Sequence, residues 1–279
     1  MDLDAIHIDF EAGEGVASVA PSLTPLQINV TCNTSGDITR EHVKANSARP
    51  IPVVTVLEEN TRHAVIVGGG PSLKTNWTEI LGWIARGADV FALNGAAEFL
   101  NDRGVLPTYQ VVVDPRETNV SLVGLARSYL IASQCHPAVF EVAPAHRVGL
   151  FHMYGSANGL VDGTLIGGDV TVGLVAPNLA YTLGYRQIHL YGYDSSYADG
   201  EHHAYPQDQS EQESKRLEVF TIVNGEKQPF TTNFAMAKQA ELFPKTMQTL
   251  CEAGAVITVH GTGLIPSIAQ SMLKAKAAE

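Results

Sequence analysis

From His63 onward the chain alternates short apolar runs with segments of helical period. His63-Ala64-Val65-Ile66-Val67 is a β-forming run that stops at Gly68-Gly69-Gly70-Pro71-Ser72. Leu73, Trp77, Ile80, Leu81 and Ile84 then recur at the spacing of one helix face, which Gly87 closes. Asp89–Asn94 predicts a second strand, residues 95–103 a helix, and Tyr109–Asp114 a third strand. Beyond these the pattern predicts a helix over 117–130 and strands over 138–142 and 148–153. A loop over 155–168 leads to an apolar helix running to Leu183, closed by Gly184, and then to a strand over 186–192. A polar loop follows, then a hairpin over 220–231 turning at Asn224-Gly225. A helix over 234–252, a strand over 255–260 and a helix over 266–277 complete the series.

Strands alternating with helices predict an α/β fold, a Rossmann-like, mostly parallel sheet with helices on both faces and a C-terminal hairpin/helix region. Residues 61–279 read as one domain. Residues 1–60 read as an irregular arm punctuated by Pro21, Pro25, Pro50 and Pro52, with a strand at Leu26–Val30 and a helix near Arg40–Ala48. The arm packs either on the domain or on a second subunit, so a homo-oligomer stays open.

Three consecutive strands end at Gly68, Asn94 and Asp114, and ligands of open parallel sheets sit at such carboxyl ends. The glycine turn opens a helix, so the N–H groups of Gly68, Gly69, Gly70 and Ser72 are candidates to hold phosphate. It is neither a full G-x-G-x-x-G, because Leu73 stands at the third glycine, nor a Gly-Lys-Ser/Thr loop. Asp114-Pro115-Arg116-Glu117 reads both as an N-terminal cap with Pro at the first helical position and as a ligand contact, with Arg116 as the cation at the crevice. Asn94 suits a base or ribose, or a cap; Thr171, ahead of the apolar helix, suits a cap or a phosphate donor. Asp194 through His203 supplies the titrating groups, and His203 suits general acid–base work. Tyr193, Tyr197 and Tyr205 surround the histidines, either as packing or as holders of a leaving phosphate.

The net charge of −11 disfavours nucleic acid as a partner but leaves room for a small phosphorylated ligand. Cys32, Cys135 and Cys251 are far apart and odd in number, which predicts reduced thiols without a zinc knuckle or disulfide framework. No signal-peptide pattern and no run of about 18 apolar residues is present, so the expected setting is cytoplasmic, without a membrane span.

Gly69-Gly70-Pro71-Ser72-Leu73-Lys74, Leu93-Asn94, Val113-Asp114-Pro115-Arg116, Thr171-Val172-Gly173 and Leu183–Asp194 occur in an order that resembles one superfamily. It is the family of the archaeal 6-hydroxymethylpterin diphosphokinase, which takes in motility accessory factors thought to glycosylate flagellin. A more distant similarity is to bacterial lipooligosaccharide sialyltransferases. The resemblance spans roughly residues 63–265. It implies a transferase with a nucleotide or nucleotide-sugar donor, performing glycosyl or pterin diphosphoryl transfer. By the same resemblance Gly70, Ser72, Asn94, Asp114, Thr171 and Gly173 surround the nucleotide, His203 is the base, and Tyr197 holds the departing phosphate. Asp114 stands where the sialyltransferases carry Asn; paired with Asp194 it suits Mg²⁺ between phosphates and protein. The alternative is a catalytically silent nucleotide-binding protein.

Overall fold

The computed structural model describes residues 34–168, 171–205, 215–223 and 226–278. Its strands are β1 (Asn60–Val67), β2 (Asp89–Leu93), β3 (Tyr109–Val112), β4 (Ser128–Ala132), β5 (Val148–Met153), β6 (Leu165–Ile166), β7 (Tyr185–Tyr191), β8 (Arg216–Val223), β9 (Glu226–Asn233) and β10 (Val256–Val259). Its helices are α1 (Gly36–Ser47), α2 (Leu73–Ala85), α3 (Ala96–Asn101), α4 (Val139–Val142), α5 (Tyr154–Ala157), α6 (Val172–Thr182), α7 (Phe234–Glu252) and α8 (Leu264–Ala278). Eight strands form one parallel sheet in the order β10-β7-β1-β2-β3-β4-β5-β6, and β8 and β9 pair separately as a hairpin.

Two cores explain why the strands are apolar throughout rather than alternating. Ala64 and Ile66 of β1, with Phe91 and Leu93 of β2, pack beneath α6, α7 and α8. The intervening Val65, Val67, Val90 and Ala92 pack with Leu73, Ile80, Phe99 and Leu100 from α2 and α3. Each strand thus feeds both faces, which is what helices on both sides of a sheet require.

Two expected elements came out differently. The helix expected over 117–130 is a short 3₁₀ helix, Glu117–Leu122, followed by β4. Gln110 of β3 is fully buried and satisfies its amide on that segment. Its Nε2 donates to Leu122 O at 2.6 Å and its Oε1 accepts from Gly124 N at 3.1 Å. A buried amide without partners costs about 1–3 kcal/mol, enough to override local helix preference. The strand expected over 138–142 is α4, because Pro137 starts a turn in which Val139 N donates to His136 O and Phe140 N to Pro137 O. A short apolar run fits a buried helix as well as a strand. The loop over 155–168 also contains the short α5 and β6.

The described part of the arm packs on the domain. Asn46 of α1, fully buried, donates to Ser133 O at 3.0 Å and Cys135 O at 2.8 Å, tying the helix to the end of β4. Val53 bridges Leu150 of β5 in parallel fashion. The strand expected at 26–30, Cys32 and the Asn224-Gly225 turn lie outside the described residues. Cys135 and Cys251 are free thiols; burial pushes the Cys135 thiol well above the ordinary range. Among the described residues no helix is long and apolar enough to cross a membrane.

Candidate functional site

The chain leaves β1 towards β2 on one side and returns to β7 on the other, so the sheet order reverses between β1 and β7. A crevice opens at the carboxyl ends of strands at such a switch point. The glycine turn and the Tyr193-Asp194 segment both sit there. Their fit demands glycine: a Cβ on Gly68 would lie 2.6 Å from Gly192 O, and one on Gly70 would lie 2.8 Å from the same oxygen and strike the Asp194 carboxylate. Gly192 itself has φ +66°.

Three of the four N–H groups expected to hold phosphate, those of Gly68, Gly70 and Ser72, meet acceptors of the chain itself. Gly68 N donates to Tyr191 O at 2.8 Å and Gly70 N to Gly192 O at 2.9 Å. Ser72 donates twice to Asp194, from its N–H at 2.7 Å and its hydroxyl at 2.6 Å. An anion does sit at the start of α2, as the helix dipole favours, but it is a carboxylate from the end of β7. Asp194 is 2% exposed, and burial pushes its carboxyl up to about 6 while the two Ser72 hydrogen bonds pull it back. The turn after β10 covers this clasp: a Cβ on Gly261 would strike Ser72 Oγ, and one on Gly263 would lie 2.8 Å from Asp194 O.

Gly69 faces the polar loop instead. Its carbonyl accepts from Ala204 N at 2.8 Å, and a Cβ on it would lie 2.6 Å from His203 Cδ2 and 3.1 Å from Tyr205 Oη. His203 therefore rests on the turn. Burial, helped by His202, lowers it to about 4, so it is neutral at pH 7. Its Nδ1 is buried with no partner among the described residues. Tyr197 lies 5.2 Å from the His202 ring, with the Arg216 guanidinium 4.7 Å above its own ring. Lys74 pairs with Glu201 at 2.6 Å, pinning the loop to α2.

Asn94 follows β2, the strand next to β1, at a left-handed φ of 47° that Asn adopts more readily than other side chains. Its Oδ1 is buried and unpartnered among the described residues. Asp114 and Arg116 lie farther along the rim and bind each other: Nη2 reaches Oδ2 at 2.6 Å, Nε reaches Oδ1 at 3.0 Å, and Arg116 N donates to Oδ1 at 2.9 Å. Asp114 closes a local turn rather than capping the helix expected there. The strand it follows, β3, lies three places from β7 in the sheet, about 14 Å at the usual strand spacing. Each carboxylate of the acidic pair expected for Mg²⁺ is engaged by groups of the chain itself, Asp194 by Ser72 and Asp114 by Arg116.

The second helix opening on this rim is α6. Thr171 is its N-cap, but the hydroxyl makes no capping bond and is buried without a partner among the described residues. Gly173 is enclosed: a Cβ there would lie 2.6 Å from Gln239 Nε2 of α7 and 3.4 Å from Tyr193 Cε1. Tyr193 is 2% exposed, and its hydroxyl too has no partner among the described residues. The structure thus gathers Gly68–Ser72, Asn94, Asp194 and His203 at one end of the crevice and Thr171, Gly173 and Tyr193 at α6, with Asp114 and Arg116 beyond. Gln239 and Arg216 were not legible as site residues. Gln239 is one polar position among several on an amphipathic helix, 68 residues from Thr171, and only packing brings it to this site.

No curated protein matches the chain. Among solved structures it is similar to the MAf glycosyltransferase from Magnetospirillum magneticum AMB-1, with a TM-score of 0.58 and 13% identity. The match covers 89% of this chain and 42% of that one, so the chain spans less than half of that protein's length. At that identity the likeness shows the fold alone. A family model described as 6-hydroxymethylpterin diphosphokinase MptE-like matches residues 40–200, more than half of the sequence, and the chain belongs to that family.

Proposed function

We propose that the protein is a transferase whose nucleotide-linked donor lies along the crevice, its phosphate at the start of α6 and its nucleoside towards Asn94. Family membership supports transferase-like chemistry. One observation carries the donor reading: Asn94 Oδ1, Thr171 Oγ1, Tyr193 Oη and His203 Nδ1 are buried along the same rim without partners among the described residues. Each such group costs about 1–3 kcal/mol if left unsatisfied, and a polyhydroxylated, phosphate-bearing ligand offers donors and acceptors for all of them. The α6 end suits the phosphate better than the α2 end, where Asp194 would repel it. The N–H groups of Val172 and Gly173, in the first turn of α6, have no intrahelical acceptor. Thr171 and Tyr193 add two hydroxyls beside them, and the Gln239 amide a further donor.

In either transfer, the acceptor hydroxyl loses its proton as it attacks the donor's anomeric carbon or its β-phosphorus, and the nucleotide phosphate leaves. His203, a neutral imidazole, takes the proton. Tyr197, beneath the Arg216 cation, holds the departing phosphate. Asp114 and Asn94 read the nucleoside, which requires the Asp114–Arg116 pair to open or to be read as a unit.

A thermal-shift series with CMP, UDP, GDP and ATP, each with and without Mg²⁺, tests the reading. A ligand at a hundred times its Kd adds about 2.7 kcal/mol, a rise of several degrees for a domain of this size. If no nucleotide raises the melting temperature, the donor site is elsewhere or absent.

A silent nucleotide-binding protein is the second reading. It is favoured by the low proton affinity of His203, a weak base at pH 7, and by the engagement of Asp194 with Ser72. His203→Ala decides between the two: turnover lost with affinity kept identifies the enzyme, and no turnover in the parent protein with any donor identifies the binder.

A further inference from the structure

On the α2 side of the sheet, away from the crevice lining, three imidazoles from neighbouring strands form a line. His63 Nδ1 of β1 meets His189 Nε2 of β7 at 2.9 Å, and His189 Nδ1 meets Nε2 of His260, the residue after β10, at 3.2 Å. His260 Nδ1 meets Glu79 Oε1 of α2 at 3.0 Å. Trp83 of α2 stacks over the line, 4.8 Å from the His63 ring and 3.9 Å from that of His189, and Tyr191 stacks 4.2 Å from His260. Trp83 Nε1 donates to Tyr191 Oη at 2.9 Å, and Arg86 lies 4.0 Å above Trp83.

The chemistry of the end group sets the protons of the whole line. An ionised Glu79 only accepts, so His260 donates from Nδ1 and, being neutral, accepts at Nε2. His189 must then donate from Nδ1 and accept at Nε2, and His63 must donate from Nδ1. One tautomer, repeated three times, satisfies every contact without a charge on any ring. A proton added at His63 Nε2 leaves the line intact. One proton taken up at His189 or His260 is accommodated by a shift of tautomers along the line, but a second leaves two donors facing each other and breaks a contact. Two adjacent imidazolium rings would also repel each other and the Arg86 guanidinium.

We propose that His63, His189, His260 and Glu79 form an acid-sensitive latch that holds the β10–α8 turn against α2 and, through Gly261 and Gly263, keeps the Ser72–Asp194 clasp closed. The latch reaches the site by direct contact, because Gly261 lies against Ser72 and Gly263 against Asp194. The amides of the same turn are fastened to β7: His260 N donates to Leu190 O at 2.9 Å and Leu264 N to Asp194 O at 2.8 Å. Burial and the neighbouring cations lower His189 to about 4, and burial lowers His260. Free imidazoles titrate near 6.5, so open forms of the latch bind protons that the closed form refuses. Closure is therefore full above about pH 6.5 and weakens as the pH falls towards 4. Tyr191 and Glu79 are the remaining titratable groups that face the line, and Tyr191 is neutral throughout that range.

The inference does not depend on the identity of any donor, and two measurements on the intact chain test it. Long-range proton–nitrogen correlation spectra at pH 8 read the tautomers directly. Nδ1–H on all three rings is expected, and Nε2–H on His189 or His260 overturns the proposal. Amide hydrogen exchange, corrected for its intrinsic pH dependence, reads the latch itself. Protection at His260 and Leu264 is expected to fall about tenfold or more between pH 7.5 and 5. In Glu79→Ala it is already low at pH 7.5, while Val112 of β3 is unaffected. Unchanged protection in the parent protein, or an unaltered Glu79→Ala, sinks the latch. Asp194 titrates in the same range, so the loss is read again in Asp194→Asn, where it persists if the histidines carry it and disappears if Asp194 does.

Discussion

Two helices open onto the same rim of the sheet, and they treat their N-termini in opposite ways. At α2 the Ser72 N–H and hydroxyl meet the buried Asp194 carboxylate, glycines bring backbones into contact, and the turn after β10 covers the join. At α6 the cap residue makes no capping bond, and the hydroxyls of Thr171 and Tyr193 have no partners among the described residues. The first end is a structural joint supplied with its own anion; the second is the one we propose receives the phosphate of the donor. A glycine-rich turn after the first strand is therefore a poor guide, taken alone, to where phosphate binds. What matters is whether the N–H groups are still available once the chain has folded.

Substitutions can break this contrast. The largest effect is expected for Gly68→Ala, whose Cβ meets the Gly192 backbone at 2.6 Å with nothing flexible to yield. It should cost roughly 3 kcal/mol in denaturant unfolding. Gly173→Ala crowds the flexible end of the Gln239 side chain and meets Tyr193 Cε1 at ordinary contact distance, so it should cost under about 1 kcal/mol while weakening nucleotide binding. If Gly68→Ala proves harmless to stability, the α2 end is not a joint.

Asp194→Asn comes next and acts through pH. The Asp194 carboxyl is raised from 3.8 to about 6, so the native state binds its proton more tightly than the unfolded chain. Its contribution to stability is then complete below about pH 4 and is lost as the pH rises through 6, an amplitude of up to about 3 kcal/mol. The difference between parent and Asp194→Asn stability curves should show that slope between pH 4 and 6 and be flat above. The histidine line has the opposite sign.

Thr171→Val should leave the melting temperature unchanged or slightly higher, because it removes a buried hydroxyl that has no partner among the described residues. Affinity for the nucleotide that stabilises the protein should fall about tenfold, near 1.4 kcal/mol. An unchanged affinity would remove α6 from the site. The smallest effect is expected at the loop tether: Lys74→Ala breaks an exposed ion pair and should not move the melting temperature measurably.

Much of the fold was legible because period and punctuation survive in one dimension. The helical spacing from Leu73 to Ile84 appears as α2, residues 234–252 as α7, and the run after Gly184 as β7. The failures share a cause. Residues 117–130 were drawn out of a helix by the side chain of buried Gln110, and 138–142 were turned by Pro137; neither influence is a periodicity. Of the candidate site, Gly68–Ser72, Asn94, Thr171 and Gly173 were legible as residues at element ends. That His203 rests on Gly69 was not, nor that Gln239 reaches Gly173, since both depend on how distant segments pack.

By itself, then, the sequence determined which segments are strands and helices along most of its length, that the sheet is parallel, and which polar residues end its strands. These follow from local sterics and from the spacing at which apolar side chains must recur to share a face. Only the tertiary structure decided which of two helix N-termini keeps its N–H groups. That depended on a carboxylate 122 residues from Ser72 arriving within 2.7 Å of it. Hydrogen bonds are made at contact distance and carry no trace in the spacing of the chain.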